Sequence, residues 1–356
     1  MRRFVSLLLL TAFFASCSSD PKVKDTSGRE AALPTLFRLS AGPTDPMLNQ
    51  GDSLTITSEL VTTEIPVQRW SWTVNGKSNP AIEPELRWHS GDQKLGQYSF
   101  SLTAHLADGR SQTKTIIKEI AAANEPVEYT YEVENTYPHD PDAYTQGFYL
   151  HNGTLYEGTG LRGKSSLREV DLQTGEIKRS YNIPARFFGE GITIWNDQLF
   201  QLTWQGKTGF VYDLATFTPI REFQYNTDGW GITHNDTTLF MSDGTHRIYL
   251  LDPESLTELG VLEVYNERAR MINLNELEWI NGEIWANIYG TDYIAIIDPK
   301  DGTVNKMLDL TNIFDRRAYG KQADVLNGIA YDTEKDRVLV TGKLWPQVYE
   351  ITVRPK

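Results

Sequence analysis

Ten positions, which recur at regular intervals in residues 127–356, carry the side chains best able to do chemistry. They include one acid, three carboxamides, three aromatic residues and one lysine. A carboxyl beside aromatic faces can move protons near neutral pH, while carboxamides and an ammonium group can stabilise a developing oxyanion. Such a mixed set at equivalent positions is typical of a concave site for a small molecule. The positions are Gln146, Glu190, Trp230, Asn275 and Asn327, then Gly160, Trp204, Gly244, Tyr289 and Lys343.

A fivefold repeat sets the spacing of these positions. Each repeat is a short apolar run, a turn (mostly Asn-Gly or Asn-Asp) and a second apolar run, after which comes a strand such as FVYDL or IAIIDP. The first five positions are 44, 40, 45 and 52 residues apart, and the second five follow at offsets of 14, 14, 14, 14 and 16. A period of this length with four strands per unit predicts a β-propeller, here with five blades. Because a hairpin returns to the edge where it began, we expect all ten positions at one mouth of the propeller.

The two ends of the repeat region are expected to pair with each other. After the fifth repeat the chain supplies three strands before it reaches Lys356, where the other repeats supply four. The segment Glu128–Thr136 precedes the first repeat and has the pattern of a strand. We therefore predict that this segment is the outer strand of the last blade, since that pairing removes open sheet edges.

A separate small domain is predicted upstream, in residues 33–122, with a linker after it. Period-two alternation between turn signals predicts an antiparallel β-sandwich there. Trp70 and Trp72 on one strand suit an immunoglobulin-like core, and no functional site is evident. The fold class is thus all-β, a five-bladed β-propeller preceded by a small immunoglobulin-like β-sandwich. The alternating segments are Ser53–Leu60, Gln68–Val74, Gln97–His105 and Thr113–Ile120.

The first residues have the pattern of a secretory signal rather than of a folded element. Two arginines precede the apolar run Phe4–Ala15, whose 12 residues are too short to span a bilayer core of about 30 Å. The sequence FASC that ends at Cys17 resembles the lipobox of bacterial lipoproteins, although Phe stands where Leu is usual. We expect residues 1–16 to be a lipoprotein signal peptide and residues 17–32 a flexible tether. The protein would be lipid-anchored in a bacterial cell envelope, periplasm-facing or surface-exposed; plain secretion is the alternative.

Composition excludes several other classes. The formal net charge of −13 argues against a nucleic-acid binder, because phosphate contacts need clustered Lys and Arg. The single cysteine rules out a disulfide framework and a cysteine-rich zinc site. The six histidines show no paired metal-ligand spacing, and the chain has no nucleophile elbow, dinucleotide fingerprint or P-loop.

Motifs in all five repeats resemble those of the plant-type glutaminyl cyclases, a family also found in bacteria. They are YTQGF, FGEGIT, LTW, GWGI, LNELEWINGEIWANIY, LNGIAYD and TGKLWP, and the resemblance covers about residues 127–356. It implies a five-bladed propeller that converts the N-terminal glutamine of peptides to pyroglutamate with loss of ammonia. It therefore implies an enzyme, a glutaminyl-peptide cyclotransferase, which is an acyltransferase of the aminoacyl-transfer class.

The resemblance also implies roles for individual residues. Glu190, the one acid among the ten positions, is expected to be the general acid/base. Tyr289 and Tyr144 stand where the family often has Trp and Phe, and both keep an aromatic face. These departures bear on substrate preference more than on activity. The predicted substrate-binding set is Gln146, Asn275, Lys343, Trp204, Trp230, Tyr289, Tyr144, Phe188 and Asn327.

We expect no cofactor to be required. A family member that carries a metal, calcium for example, would hold it on the propeller axis through backbone carbonyls, which leave no signature in the sequence. The expected partners are peptides with N-terminal glutamine and, through a lipid on Cys17, a membrane. A monomer that binds no nucleic acid is expected.

Two other functions compete with the cyclotransferase. The first is a non-catalytic envelope propeller that binds a peptide or a glycan. The second is a metal-dependent, lactonase-like propeller, which would need several acidic ligands near the axis. The ten positions contain a single acid, and its combination with two carboxamides and a lysine favours the cyclotransferase.

Overall fold

The computed structural model describes residues 32–319 and 323–356, and β-strands dominate both ranges. Within them lie 28 strands and one single-turn helix, α1 (Arg316–Tyr319), so the predicted all-β class is confirmed. No helix in these ranges is long and apolar enough to cross a membrane. The predicted signal peptide, Cys17 and nearly all of the predicted tether lie outside the described residues.

The first eight strands form two sheets that pack face to face. β1, β3 and β6 form a three-stranded sheet, and the other five strands form a sheet in the order β2-β8-β7-β4-β5. Leu54 and Leu86 from the first sheet share a core with Trp72 and Phe100 from the second. The strands are β1 (Phe37–Gly42), β2 (Met47–Asn49), β3 (Ser53–Leu60), β4 (Val67–Val74), β5 (Lys77–Asn79), β6 (Glu85–His89), β7 (Gly96–Leu106) and β8 (Ser111–Ala121).

Alternation in the sequence identified half of these strands. The four predicted segments correspond to β3, β4, β7 and β8, which are confirmed. Trp70 and Trp72 both face the core, where Trp70 packs edge-on against Phe37 at 5.0 Å between ring centroids. The four strands that were missed have three to six residues, which is too short for a period of two to stand out.

The other twenty strands of the described chain form five four-stranded units. Four units follow chain order, as β10–β13, β14–β17, β18–β21 and β22–β25. The fifth has the order β9-β28-β27-β26. The strands are β9 (Val127–Pro138), β10 (Thr145–His151), β11 (Thr154–Thr159), β12 (Ser166–Val170), β13 (Ile177–Asn182), β14 (Gly189–Trp195), β15 (Gln198–Thr203), β16 (Thr208–Asp213), β17 (Pro219–Gln224), β18 (Ile232–His234), β19 (Leu239–Ser242), β20 (Arg247–Leu251), β21 (Glu258–Glu263), β22 (Leu274–Ile280), β23 (Glu283–Ile288), β24 (Tyr293–Ile297), β25 (Val304–Asp309), β26 (Leu326–Asp332), β27 (Arg337–Gly342) and β28 (Gln347–Pro355).

The predicted pairing of the two ends of the repeat region is confirmed. The segment Glu128–Thr136 lies within β9, which pairs antiparallel with β28 from Tyr129 to Pro138. The start of β9 also pairs in parallel with β25, a contact that the sequence did not predict. The fourth and fifth units are consequently one eight-stranded sheet. Both edges of β9 therefore make backbone hydrogen bonds. One edge pairs with β28 along most of its length, and the other pairs with β25 at its start.

One edge strand from each of the five units, here called the inner strand, lies in a closed ring. β10, β14, β18, β22 and β26 each contact the next, and β26 contacts β10. Glycine permits this approach, because a Cβ on Gly191 would collide with the backbone at Trp230, and one on Gly231 with the backbone at Asn275. The ring is therefore narrow, and the beginnings of its strands converge at one end.

The first two sheets dock on the unit formed by β18–β21 and the loop after it. Tyr265 in that loop is fully buried, and Arg270 makes an ion pair with Glu119 of β8. Asn49 donates hydrogen bonds from Nδ2 to the carbonyl oxygens of Ala122 and Glu267. These contacts join the two parts around a small apolar cluster that is centred on Tyr265. The residues packed around Tyr265 are Leu95, Ile120, Ala121 and Ala122.

A buried ion pair joins the first unit to the last. His139 Nε2 lies 3.0 Å from Glu157 Oε1, and its Nδ1–H donates to the carbonyl oxygen of Trp345 at 2.7 Å. Thr145 also donates to Glu157 from Oγ1, at 2.7 Å. Burial by itself lowers the pKa of His139, but the charge and hydrogen bond of Glu157 outweigh it and raise that pKa. Burial pushes the pKa of Glu157 upward, and the His139 charge reverses this to a net lowering.

The variant Glu157→Gln should lower the free energy of unfolding by about 3 kcal/mol, because it leaves a buried imidazolium without its counter-charge. The His139 part of the stabilisation is present below about pH 6.5 and is lost as pH rises through the raised pKa. Urea unfolding at several pH values should show the deficit shrinking toward alkaline pH. Glu132→Gln, which removes an exposed acid paired with Arg354, is the control and should change stability by less than about 1 kcal/mol. An equal loss in both variants would contradict the prediction.

Candidate active site

A cavity of 220 Å³ opens at the end of the ring where the inner strands begin. Glu190 lies in β14 and Asn275 in β22, while Lys343 directly follows β27. The aromatic residues come from the strand beginnings and from the returns of the hairpins. All nine residues that line the cavity belong to the predicted set. They are Tyr144, Gln146, Phe188, Glu190, Trp204, Trp230, Asn275, Tyr289 and Lys343.

The other predicted positions lie next to the cavity rather than in its wall. Gly160 is packed against the ring of Phe188, and Gly244 against that of Trp230, so both leave room for an aromatic wall. Asn327 was predicted to bind substrate, but it is not among the residues that line the cavity. Its side chain is fully buried behind Gln146, to whose Oε1 its Nδ2 donates a hydrogen bond at 3.3 Å.

Glu190 is the one acid in the wall of the cavity. Its side chain is almost fully buried and accepts a hydrogen bond from Gln146 Nε2 at 2.9 Å. Burial raises the pKa of Glu190 well above its usual value; the charge of Lys343 works against this rise, and that of Asp228 adds to it. A carboxyl with a raised pKa accepts a proton more readily than an ordinary carboxyl and can return it.

Lys343 provides a buried positive charge on the other side of the cavity. Its Nζ lies 4.9 Å from the centroid of the Tyr144 ring and 5.1 Å from that of Tyr289. Burial lowers the pKa of Lys343, while the negative charges of Glu190 and Asp324 counteract part of that change. Cation–π contact with two rings holds the ammonium without neutralising it. The cavity therefore contains an acid and a base whose pKa values are displaced toward each other.

Two pairs of aromatic rings line the cavity. Phe188 and Trp204 pack edge to face with 5.5 Å between ring centroids, and Trp230 and Tyr289 do so at 5.6 Å. Tyr144 contacts Phe188 at 6.1 Å and donates a hydrogen bond from its hydroxyl to Asp324. These walls exclude water from Glu190, which strengthens electrostatic interactions inside the cavity.

Buried polar atoms in and beside the cavity lack a protein partner. Among the described residues they include Trp230 Nε1, a donor, and Asn275 Oδ1, an acceptor. Because a buried polar group without a hydrogen bond costs free energy, both atoms are suited to bind a polar ligand. A third such atom, Asn327 Oδ1, lies behind the wall.

Sequence reasoning missed two further acids of the inner strands, Glu276 and Glu278. It also missed two acids close to the cavity, Asp228 and Asp324. Glu276 Oε2 accepts a hydrogen bond from the backbone N–H of Ile329, and Glu278 Oε1 accepts one from that of Tyr331. Burial raises the pKa of both acids. Their only signal is their presence in the apolar segment LNELEWI. Asp228 and Asp324, which act on Glu190 and Lys343, lie outside the repeat positions and give no signal.

The two further acids of the ring are already engaged within the protein. The oxygens of Glu276 and Glu278 accept hydrogen bonds from backbone amides of β10 and β26. Within residues 32–319 and 323–356, no group of three or more His, Cys, Asp or Glu side chains is placed to hold a metal ion. The lactonase-like alternative needs several acidic ligands near the axis, whereas the cavity wall contains one acid, Glu190.

Most of the chain, from β7 to β28, is similar to known proteins. The family model described as glutamine cyclotransferase matches residues 103–353, so it begins within β7. The chain is 43% identical over 229 residues to a glutaminyl-peptide cyclotransferase of Arabidopsis thaliana, covering 63% of this chain and 71% of that protein. It also resembles the crystal structure of a glutaminyl cyclase of Myxococcus xanthus, with a TM-score of 0.61 and 30% identity. That match covers 65% of this chain and 100% of the other.

Replacing Lys343 by Met should raise the pKa of Glu190, because it removes the charge that opposes the effect of burial. The titration can be followed by NMR of the ¹³C-labelled glutamate carboxyl groups, with Glu190→Gln used to assign the signal. Lys306→Met removes a lysine that is paired with Glu283 and is the control. A Glu190 titration that is the same in the Lys343 variant and the parent would contradict the assigned coupling.

Proposed function

Given that the chain belongs to the glutamine cyclotransferase family, we propose that its cavity converts the N-terminal glutamine of peptides to pyroglutamate with release of ammonia, and that Glu190 is the general acid/base. The activity is that of a glutaminyl-peptide cyclotransferase. The observation that carries the assignment of Glu190 is its position as the one carboxyl among the nine lining residues, buried between aromatic walls and bonded to Gln146.

The reaction is intramolecular, so positioning removes much of its barrier. The α-amine nitrogen of the substrate attacks its own side-chain carbonyl carbon, a new C–N bond forms, and the bond to the amide nitrogen then breaks. Glu190 takes the proton that the attacking amine loses and returns it to the leaving nitrogen, which departs as ammonia. The raised pKa of Glu190 suits both steps, because a carboxylate with a raised pKa is a stronger proton acceptor and the resulting acid can still return the proton.

Donors and acceptors around Glu190 suggest how the substrate is held. The ammonium of Lys343 and the unpartnered Nε1 of Trp230 are the donors best suited to the developing oxyanion. Gln146, one of the carboxamides expected as such a donor, directs one N–H of its Nε2 to Glu190 and keeps a second N–H. Asn275 Oδ1, an unpartnered acceptor, suits the N–H groups of the substrate. The faces of the Trp rings can hold the N-terminal ammonium before it is deprotonated.

The finer architecture belongs to the same proposal. We propose that the five four-stranded units in residues 127–356 are the blades of a five-bladed β-propeller, which the closed ring of inner strands supports. We further propose that residues 33–122 form an immunoglobulin-like β-sandwich, which two sheets around Trp72 support. The Myxococcus enzyme is covered completely by 65% of this chain, which suggests that the sandwich is an addition to the enzyme.

We also propose that the protein is a monomer, that it needs no cofactor and that it does not bind nucleic acid. Residues 1–16 would be a lipoprotein signal peptide, and a lipid on Cys17 would anchor the enzyme in a bacterial cell envelope. Residues 17–32 would then be a flexible tether between the membrane and the sandwich. Its role would be to hold the propeller away from the lipid surface, where peptides can reach the cavity.

Glu190→Gln should keep the fold and lower kcat/KM by about 10²–10⁴-fold, because the amide cannot accept a proton. The measurement is ammonia release from a dipeptide with N-terminal glutamine, repeated after treatment with a chelator, which should leave the parent rate unchanged. Glu283→Gln replaces an acid paired with Lys306 and is the matched control. Near-normal turnover by the Glu190 variant would refute its role, and no ammonia release by the parent chain would refute the function itself.

Cys17→Ala should abolish lipid incorporation and shift the protein from the membrane to the soluble fraction, because the cysteine carries the anchor. Expression in a bacterium with a labelled fatty acid, followed by fractionation and gel analysis, measures both effects. Ser18→Ala is the control, since it alters a neighbouring residue that has no part in the lipid linkage. Unchanged labelling of the Cys17 variant would favour plain secretion.

A further inference from the structure

We propose that Asn327 is a positioning residue for the reaction, which fixes the orientation of the Gln146 side-chain amide so that Gln146 presents a hydrogen-bond donor to Glu190. The inference rests on the proposed role of Glu190 as general acid/base. It replaces the expectation that Asn327 binds substrate, since its side chain lies outside the cavity wall.

A chain of hydrogen bonds runs from the backbone of β10 to Glu190. Asn327 Nδ2 donates to the carbonyl oxygen of Thr145 at 3.0 Å and to Gln146 Oε1 at 3.3 Å. Gln146 Nε2 in turn donates to Glu190 Oε1 at 2.9 Å. Asn327, Gln146 and Glu190 are all buried, so no step of this chain is exposed to bulk solvent.

The backbone carbonyl of Thr145 sets the direction of every bond in the chain. A carbonyl oxygen can only accept, so Asn327 must turn its Nδ2 toward Thr145. The same nitrogen also donates to Gln146, so the atom of Gln146 that faces it must be the acceptor, Oε1. The donor end of the Gln146 amide is thereby turned toward Glu190. A side-chain amide has almost the same shape in its two orientations, so without Asn327 the packing around Gln146 would not select one of them.

The reverse orientation of Gln146 would disable Glu190 as a base. Its Oε1 would then face Glu190 Oε1, and two acceptors at that distance require the carboxyl to hold a proton. The charges that act on Glu190 are those of Lys343 and Asp228, and the phenols of Tyr144 and Tyr225 lie within electrostatic reach. None of these groups lies in the chain from Thr145, so they do not select the amide orientation.

The unpartnered Oδ1 of Asn327 supports a positioning role. This atom is buried and has no hydrogen-bond partner among the described residues. Leaving a buried acceptor unpaired costs free energy that an apolar residue of similar size would avoid. The useful group of this side chain is therefore its donor, Nδ2. Among the described residues, Nδ2 donates to the carbonyl oxygen of Thr145 and to Gln146 Oε1.

The test is the pH dependence of kcat/KM for ammonia release in Asn327→Asp and Asn327→Ala. In Asn327→Asp the Nδ2 donor is replaced by a carboxylate oxygen, which attracts Gln146 Nε2. The Gln146 amide then turns over, and its Oε1 faces Glu190. The acidic limb of the profile should move upward by about one pH unit or more, and the rate below that limb should fall roughly tenfold. KM should change less than kcat, because Asn327 does not touch the cavity. Asn327→Ala creates no buried charge and should shift the acidic limb in the same direction. It keeps the test valid if the Asp variant does not fold.

Two controls separate positioning from general damage to the fold. Asn287→Asp alters a second fully buried asparagine, whose Oδ1 accepts from the backbone N–H of Gly328, and should leave the acidic limb where it is. In a Gln146→Leu background, Asn327→Ala should cause no further shift, because there is no amide left to orient. An unmoved limb in both Asn327 variants, or an equal shift in Asn287→Asp, would overturn the inference. Failure of the proposed role of Glu190 would appear instead as full activity in Glu190→Gln, and failure of the proposed function as no ammonia release by the parent chain.

Discussion

The close approach of the five inner strands is the constraint on which the rest of the structure depends. Where Gly191 and Gly231 occur, the backbone of one strand lies against the backbone of the next, and any side chain would force them apart. The resulting ring is too narrow to hold a wide channel but brings the beginnings of five strands to one end. The hairpins of the units return to that end, so side chains distant in sequence meet in one cavity.

Burial in this ring produces the chemistry of the cavity. The same desolvation raises the pKa of Glu190 and lowers that of Lys343, because it disfavours the charged form of each. Aromatic walls keep water away, and the two charges remain close enough to moderate each other. The pKa values of a glutamate and a lysine are thereby displaced toward each other within one cavity.

Much of the architecture and nearly all of the cavity were accessible from sequence pattern. The repeat placed Gln146, Glu190, Asn275 and Lys343 at equivalent positions, because each occurs where an inner strand begins or a hairpin ends. The parallel pairing of β9 with β25 was not accessible, since it depends on backbone groups that every sequence shares. Asp228 and Asp324 were missed because they lie in loops, where no periodicity marks them.

The sequence by itself determined the all-β class, the fivefold repeat, the strand that closes it and the residue types that gather at one end. Only the tertiary structure decided which of those residues face the cavity and which way their polar groups point. Asn327 is the clearest case. It occupies the same position in its repeat as Asn275, yet it lies behind Gln146, whereas Asn275 lines the cavity. The physical reason is that a repeat specifies where a side chain begins, whereas depth in the ring and the donors and acceptors around it specify what that side chain can do.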